Sequence, residues 1–415
     1  MFDWANSAFA LVISAAVFPF YFSEQIDDSF SLGKMTISDD AIYSYSITVA
    51  YLILIITIPL LSGMADSGGM RRRFMKLFTY IGGLACISLF FFTGHDGLWL
   101  GVAGFALANI GFGGSLVFYN SFLPLIAKDK EMDQLSARGF VLGYIGSVLL
   151  LIVCLVLILK GPDWGIEDPG LPARISFLLV GVWWIAWAQY SFRRLPEEQQ
   201  ADSQKGLMAK GLQELRHVIT KLKSMVATRR FLVSFLFYNA GVQTVLYLAG
   251  TFAEKELAFE ADELILLILA LQLFGALGAW AFAKLSERLG NKVTLLILVS
   301  LWTAVCVLAY MTHDKWKFYL LAVLVGLTMG GIQALSRATY GKLIDKHPED
   351  SASFFSFYNV MYYLSIMMGT FIFGLLSQWT GSMRYSILAL GGLFVIGALL
   401  LSRVHIVPSG NQETL

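Results

Sequence analysis

Twelve runs of apolar residues, each roughly 18 to 25 long, recur along the chain and leave it few folds to choose from. They cover 4–23, 41–63, 74–92, 98–126, 138–159, 174–192, 231–253, 262–284, 293–311, 317–338, 352–378 and 384–403. A helix of that length crosses a hydrocarbon layer of about 30 Å. It also satisfies its own backbone N–H and C=O groups where no water can. With 57% hydrophobic and 14% charged residues, a soluble fold would lack the polar surface to cover itself. The chain reads as an all-α integral membrane protein. The first run has no basic stretch before it and no small-residue cleavage site after it, so it reads as a retained span rather than a signal peptide.

Twelve spans put both termini on one side. The loops on that side carry 23 of the 30 Lys and Arg residues, against 7 on the other, which makes the side of the termini cytoplasmic. Nine of those basic residues lie between Arg193 and Arg230. In that segment Leu207, Leu212, Leu215, Ile219, Leu222 and Val226 recur at helical spacing among Lys210, Arg216, Lys221 and Lys223. This predicts an amphipathic helix along the cytoplasmic membrane surface, a linker between two six-span halves. The expected organisation is an N-terminal bundle over 1–193, a linker over 194–230 and a C-terminal bundle over 231–415.

The halves resemble each other. Asp66, Gly69 and Arg71 follow span 2; Glu287, Gly290 and Lys292 follow span 8 with the same spacing, 221 residues later. Gly113-Gly114 recurs as Gly330-Gly331 at an offset of 217, and Ser136-Ala137 as Ser351-Ala352 at 215. The repeat is parallel, six spans against six. A carboxylate in so short a turn pairs with basic groups and with exposed N–H groups of a helix start. That contact suits a gate made and broken between two states. Positive-inside decoration accounts for the arginines but not for acids at equivalent places, so Asp66, Arg71 and Glu287 are read as gating residues.

Four segments carry a family likeness: Phe2-Asp-Trp-Ala-Asn-Ser-Ala8, Ser136-Ala-Arg-Gly-Phe-Val-Leu-Gly-Tyr144, Phe237-Tyr-Asn-Ala-Gly-Val-Gln-Thr244 and Gly330-Gly-Ile-Gln-Ala-Leu-Ser-Arg337. Together and in this order they resemble the vacuole-effluxer-like branch of the major facilitator superfamily, which contains fungal vacuolar amino-acid exporters and bacterial relatives. The resemblance implies twelve helices in two pseudo-symmetric six-helix bundles and a secondary transporter working by rocker-switch alternating access. It points to a small polar solute, with amino acids as the candidate class, and to a bacterial cytoplasmic membrane. The sequence departs from the pattern at Ser62 and Met70, where the facilitator loop prefers glycine and arginine. It departs again at Ala240 and Asn359, where relatives often carry an acid.

In facilitators spans 1, 4, 7 and 10 line the central cavity. The polar residues this chain places there are amides and hydroxyls, among which Asn6, Asn120, Asn239, Gln243 and Gln333 are the candidate substrate-binding residues. An amide offers both donors and an acceptor without a buried charge. Any one of them alone is better explained as interhelical glue; the set favours a lined cavity. Arg138 and Arg337 are read as gate partners, with snorkelling anchors an equal alternative. Trp183, Trp184 and Trp187 are expected to face lipid or a packing seam. The glycines of span 5, Gly139, Gly143 and Gly146, are explained by close packing.

All 29 acids fall in loops or at helix ends, with Asp3 the nearest to an interior, so weakly coupled or facilitated transport is expected over strong proton symport. The cysteines Cys86, Cys154 and Cys306 lie within apolar runs and the five histidines share no ligand spacing, so no disulfide, metal or cofactor is expected. With no cluster of nucleophile, base or metal ligands, enzyme activity is not expected. The expected partners are a small-molecule substrate and the lipid bilayer, with no nucleic acid, and the chain is read as a monomer. A membrane scaffold or receptor acting through the central loop is the alternative.

Overall fold

The computed structural model describes residues 1–25, 29–32, 35–94, 97–198, 206–344 and 346–405. Among them, twelve helices are long and apolar enough to cross a membrane. The first six are α1 (Phe2–Gln25), α2 (Asp39–Gly68), α3 (Arg71–Ser88), α4 (Leu98–Ser121), α5 (Asp129–Lys160) and α6 (Leu171–Arg194). A further helix, α7 (Leu207–Ser224), occupies the predicted linker. Then come α8 (Val226–Leu257), α9 (Ala261–Leu289), α10 (Asn291–Met311), α11 (Lys315–Leu343), α12 (Ser351–Thr380) and α13 (Met383–Ser402).

Two local features were not anticipated. Between α1 and α2, β1 (Ser29–Leu32) and β2 (Met35–Ser38) form an antiparallel hairpin, Ser29 opposite Ser38; apolar runs carry no information about such a loop. Within α1, Phe9–Val17 winds as π-helix, a register that hydrophobic spacing does not reveal.

The chain forms two compact units. Residues 1–119 and 142–205 make the first, 120–141 and 206–415 the second. In the first unit Trp184 is fully buried, stacked on Phe9 with ring centroids 5.7 Å apart. A Cβ built on Gly82 would meet its ring at 2.3 Å. Trp183 stacks on Trp4 and donates its indole N–H to the Trp4 carbonyl at 3.0 Å, so these two tryptophans fill a packing seam. Gly143 and Gly146 lie directly against Ser7 and Trp4, as close packing of α5 on α1 requires.

In the second unit α9 and α11 cross at their backbones. A Cβ on Gly278 would lie 1.9 Å from the Leu327 carbonyl oxygen, and one on Gly330 1.8 Å from that of Gly275. The glycines of the duplicated loop motif have a backbone reason as well. Gly69 ends α2 at φ 62° and Gly290 ends α9 at φ 78°, a region that side-chain-bearing residues avoid.

Candidate functional site

A heavily bonded polar cluster of the second unit gathers around Asp133, one turn into α5. Asp133 is 2% exposed. Its Oδ1 accepts from the Asn291 amide at 2.7 Å, and its Oδ2 from Lys342 Nζ at 2.8 Å and the Ser286 hydroxyl at 3.0 Å. Asn291 closes the ring: its Oδ1 accepts from Lys342 at 2.9 Å and its amide also reaches Thr339 Oγ1 at 3.0 Å. The end of α9, the start of α10 and the end of α11 thus hold the start of α5 through one ion pair dressed by neutral donors. Leu123, Ala127, Met132 and Ala338 pack beside it, excluding water and strengthening the pair.

Arg337 forms a second grip on the same segment. It is 5% exposed and donates from Nε to Ser136 Oγ at 2.9 Å and from Nη2 to the Ser136 carbonyl at 2.8 Å. Its guanidinium lies 4.3 Å from the centre of the Phe140 ring. Nη1 reaches Asn120 Oδ1 at 3.4 Å. The two residues are 217 positions apart, the same offset as the Gly-Gly repeat, so repeat-equivalent residues touch. Asn120 is therefore tied to the motif arginine.

Asn239 and Gln243, one turn apart on α8, join α12 through a chain of hydrogen bonds. The Tyr362 hydroxyl donates to Gln243 Oε1 at 3.2 Å, Gln243 Nε2 to Asn239 Oδ1 at 3.3 Å, and Asn239 Nδ2 to Ser365 Oγ at 2.5 Å. Both amides are buried. An amide nitrogen carries two N–H groups, and each here uses one among the described residues. Gln333, half-buried on α11, has contacts of its own.

In the first unit Asp66 and Arg71 bond across the α2–α3 turn, Nη2 to Oδ1 at 2.6 Å and Nε to Oδ1 at 2.7 Å. Glu198, beyond α6, joins them. Its Oε2 accepts from the Arg72 backbone N–H at 3.0 Å, and its Oε1 lies 3.4 Å from Arg71. An acid at the start of α3 is where a helix dipole favours one. Burial nevertheless outweighs the N–H groups and Arg71 and pushes the Glu198 carboxyl above its ordinary range. Asn6 is 1% exposed, and its Nδ2 has no acceptor among the described residues. Close by in sequence, Asp3 is buried and accepts from the Tyr119 hydroxyl at 2.6 Å.

The remaining candidates are not drawn into these clusters. Glu287 is exposed and accepts from the Gln134 side chain at 2.7 Å. Arg138 is exposed and makes no ion pair among the described residues. His347, Glu349 and Asp350 bring their ligand atoms within 4.8 Å of one another, a proximity that histidine spacing alone did not suggest. Lys221 Nζ sits 2.5 Å from Asp350 and 3.9 Å from Glu349, so a lysine supplies the positive charge there.

Sequence reasoning missed Asp133, Lys342 and Glu198. Each stands outside a recognisable motif; for Asp133 and Lys342 the available signal was an acid or base within a few residues of a motif, and for Glu198 there was none.

The chain matches the family described as "Vacuole effluxer Atg22 like" over residues 21–414. An uncharacterized MFS-type transporter of Bacillus subtilis, YxiO, is 29% identical, covering 97% of this chain and 93% of its own. Autophagy-related protein 22-1 of Phaeosphaeria nodorum is 25% identical over 91% and 78%. Among solved structures, the MFS transporter FucP in its outward conformation aligns at a TM-score of 0.71, with 12% identity and coverage of 98% and 99%. The human organic anion transporter MFSD10 aligns at 0.71, with 13% identity and coverage of 96% and 97%. At these identities the solved structures establish the major facilitator fold.

Proposed function

The chain belongs to the vacuole effluxer Atg22-like family of major facilitators, and on that footing we propose that it is a secondary transporter of a small, uncharged or zwitterionic polar solute, with amino acids the first class to test. It works by alternating access as a monomer in a bacterial cytoplasmic membrane, with both termini in the cytoplasm.

The observation that carries the substrate class is the state of the buried amides. Asn239 and Gln243 each retain one N–H beyond those used in the α8–α12 chain. A buried donor without an acceptor costs about 1–3 kcal/mol. Carboxylate, carbonyl or hydroxyl oxygens of a solute relieve that cost without a fixed charge in the membrane, where a charge is far more expensive. The clasp around Asp133 is compatible with alternation: it is a buried polar contact, of the kind that a two-state element makes in one state and breaks in the other.

The test is a thermal-shift screen of the purified protein against amino acids, nucleosides, sugars and polyols. A binder raises Tm with saturation of the folded state. Asn239→Ala and Gln243→Ala should each weaken the hit at least several-fold. Unchanged affinity in both would remove these residues from the site, and stabilisation by no polar solute would remove the reading itself.

A further inference from the structure

The linker helix α7 carries a surface that transport does not explain. Gly211 and Val218 are buried, which fixes the side turned toward the protein. Lys221, on another side, is held by Asp350 at 2.5 Å, so the helix is pinned against rotation. Next to the buried side runs a strip of Met208, Leu212, Leu215 and Ile219, each three or four residues from the next. Met208 is 66% and Leu212 42% exposed. Arg216 and Lys223 border the strip, four residues beyond Leu212 and Ile219. Both are exposed, and neither has an ion-pair partner among the described residues. His217 stands on the opposite side, at roughly 100° per residue.

Depth follows from connectivity. Only Met225 separates α7 from α8, whose first residues include exposed Val226, Arg229 and Arg230. Because α8 crosses the membrane, the last turn of α7 lies at the level where that span enters the headgroups. An apolar strip bordered by unneutralised cations at that depth is complementary to acyl chains below and anionic headgroups above.

We propose that α7 is a binding surface for anionic phospholipid: Met208, Leu212, Leu215 and Ile219 enter the headgroup–acyl boundary, and Arg216 and Lys223 hold lipid phosphates. The pairing of Lys221 with Asp350 sets the rotation that presents this strip.

The test places an environment-sensitive fluorophore on full-length protein at Leu212→Cys, with His217→Cys as the opposite-side control. The native cysteines are buried and contribute little background. The protein is reconstituted in vesicles of phosphatidylcholine alone or with roughly a third phosphatidylglycerol. The label at position 212 should be quenched by brominated lipid, more strongly with phosphatidylglycerol, and the label at 217 by aqueous iodide. Arg216→Gln with Lys223→Gln should lower retention of phosphatidylglycerol on the purified protein on the order of tenfold, since each basic residue near a charged surface contributes a comparable share. Both substituted residues are exposed, so folding is not at stake. Iodide quenching at 212 in both lipid mixtures would overturn the proposal. So would phosphatidylglycerol retention unchanged by the double substitution, or protection at 212 that appears only on adding a soluble protein.

Discussion

Lys342→Met should open the clasp around Asp133. The pair is almost dry: the side chains of Lys342 and Asp133 are 9% and 3% exposed. Removing one member of a buried pair strands the other charge at about 3–5 kcal/mol. Asn291 and Ser286 remain as donors to Asp133, which places the effect at the lower end, about 3 kcal/mol, or roughly 150-fold in an equilibrium constant. Any state in which Asp133 reaches water escapes that cost, so the substitution favours release of the 120–141 segment over the clasped arrangement.

Ala338→Cys reports on this directly, because Ala338 is fully buried in the apolar cluster beside the pair. Alkylation by a membrane-impermeant maleimide in inside-out vesicles should accelerate by up to two orders of magnitude in Lys342→Met, and similarly in Asp133→Asn. The double substitution leaves no stranded charge and should return to within about tenfold of the parent, a strongly non-additive cycle. Additive effects, or a rate at 338 indifferent to all three variants, would refute the assignment. Thermal unfolding of the same variants separates opening from general collapse: all three must keep a cooperative transition.

Three further outcomes follow. Gly330→Ala places a Cβ 1.8 Å from a backbone oxygen that cannot swing aside; it should destabilise by about 1–3 kcal/mol or more, whereas Gly392→Ala, with nothing within 4 Å, should leave Tm unchanged. Arg337→Lys keeps the charge but loses the planar fork on Ser136 and the stack on Phe140; it should lower stability by about 1.5–3 kcal/mol, read from chemical or thermal unfolding. Glu198 has its carboxyl pushed up by burial, so its favourable contribution is present below the ordinary glutamate value of about 4.3 and is lost as pH rises through its elevated value in the folded chain. Glu198→Gln should therefore raise Tm at neutral pH and change it little near pH 4; a lowered Tm at neutral pH would contradict this.

The spans were legible because lipid imposes length and composition together, and a run such as 138–159 admits no other structure in a bilayer. The segments around Asn6, Ser136, Asn239 and Arg337 were legible as motifs. What motif reading did not yield was which residue bonds to which. Asp133 meets Ser286, Asn291 and Lys342 at separations of 153, 158 and 209 residues, and no local pattern encodes such a meeting. The π-helical stretch of α1 and the β1–β2 hairpin were hidden for a different reason: both are decided by backbone hydrogen bonding, to which hydrophobic spacing is blind.

The duplicated loop motif shows how far a repeat carries physical meaning. Its glycine does the same work twice, since Gly69 and Gly290 both take a positive φ to end one span and begin the next. Its acid does not. Asp66 is buried against Arg71 within its own turn, whereas Glu287 is exposed on Gln134, and among the described residues no ion pair joins it to Lys292. The residue just before the basic position accounts for the divergence. In the first copy it is Met70, whose side chain has no hydrogen-bond donor. In the second it is Asn291, which is buried and spans Asp133, Lys342 and Thr339 at once. With Asn291 and Ser286 supplying neutral donors, the second copy recruits an acid from the start of α5 instead of using its own. Backbone geometry is thus kept across the repeat because a turn tolerates few solutions, while the electrostatic partner is free to move to whichever carboxylate the surrounding helices can bury.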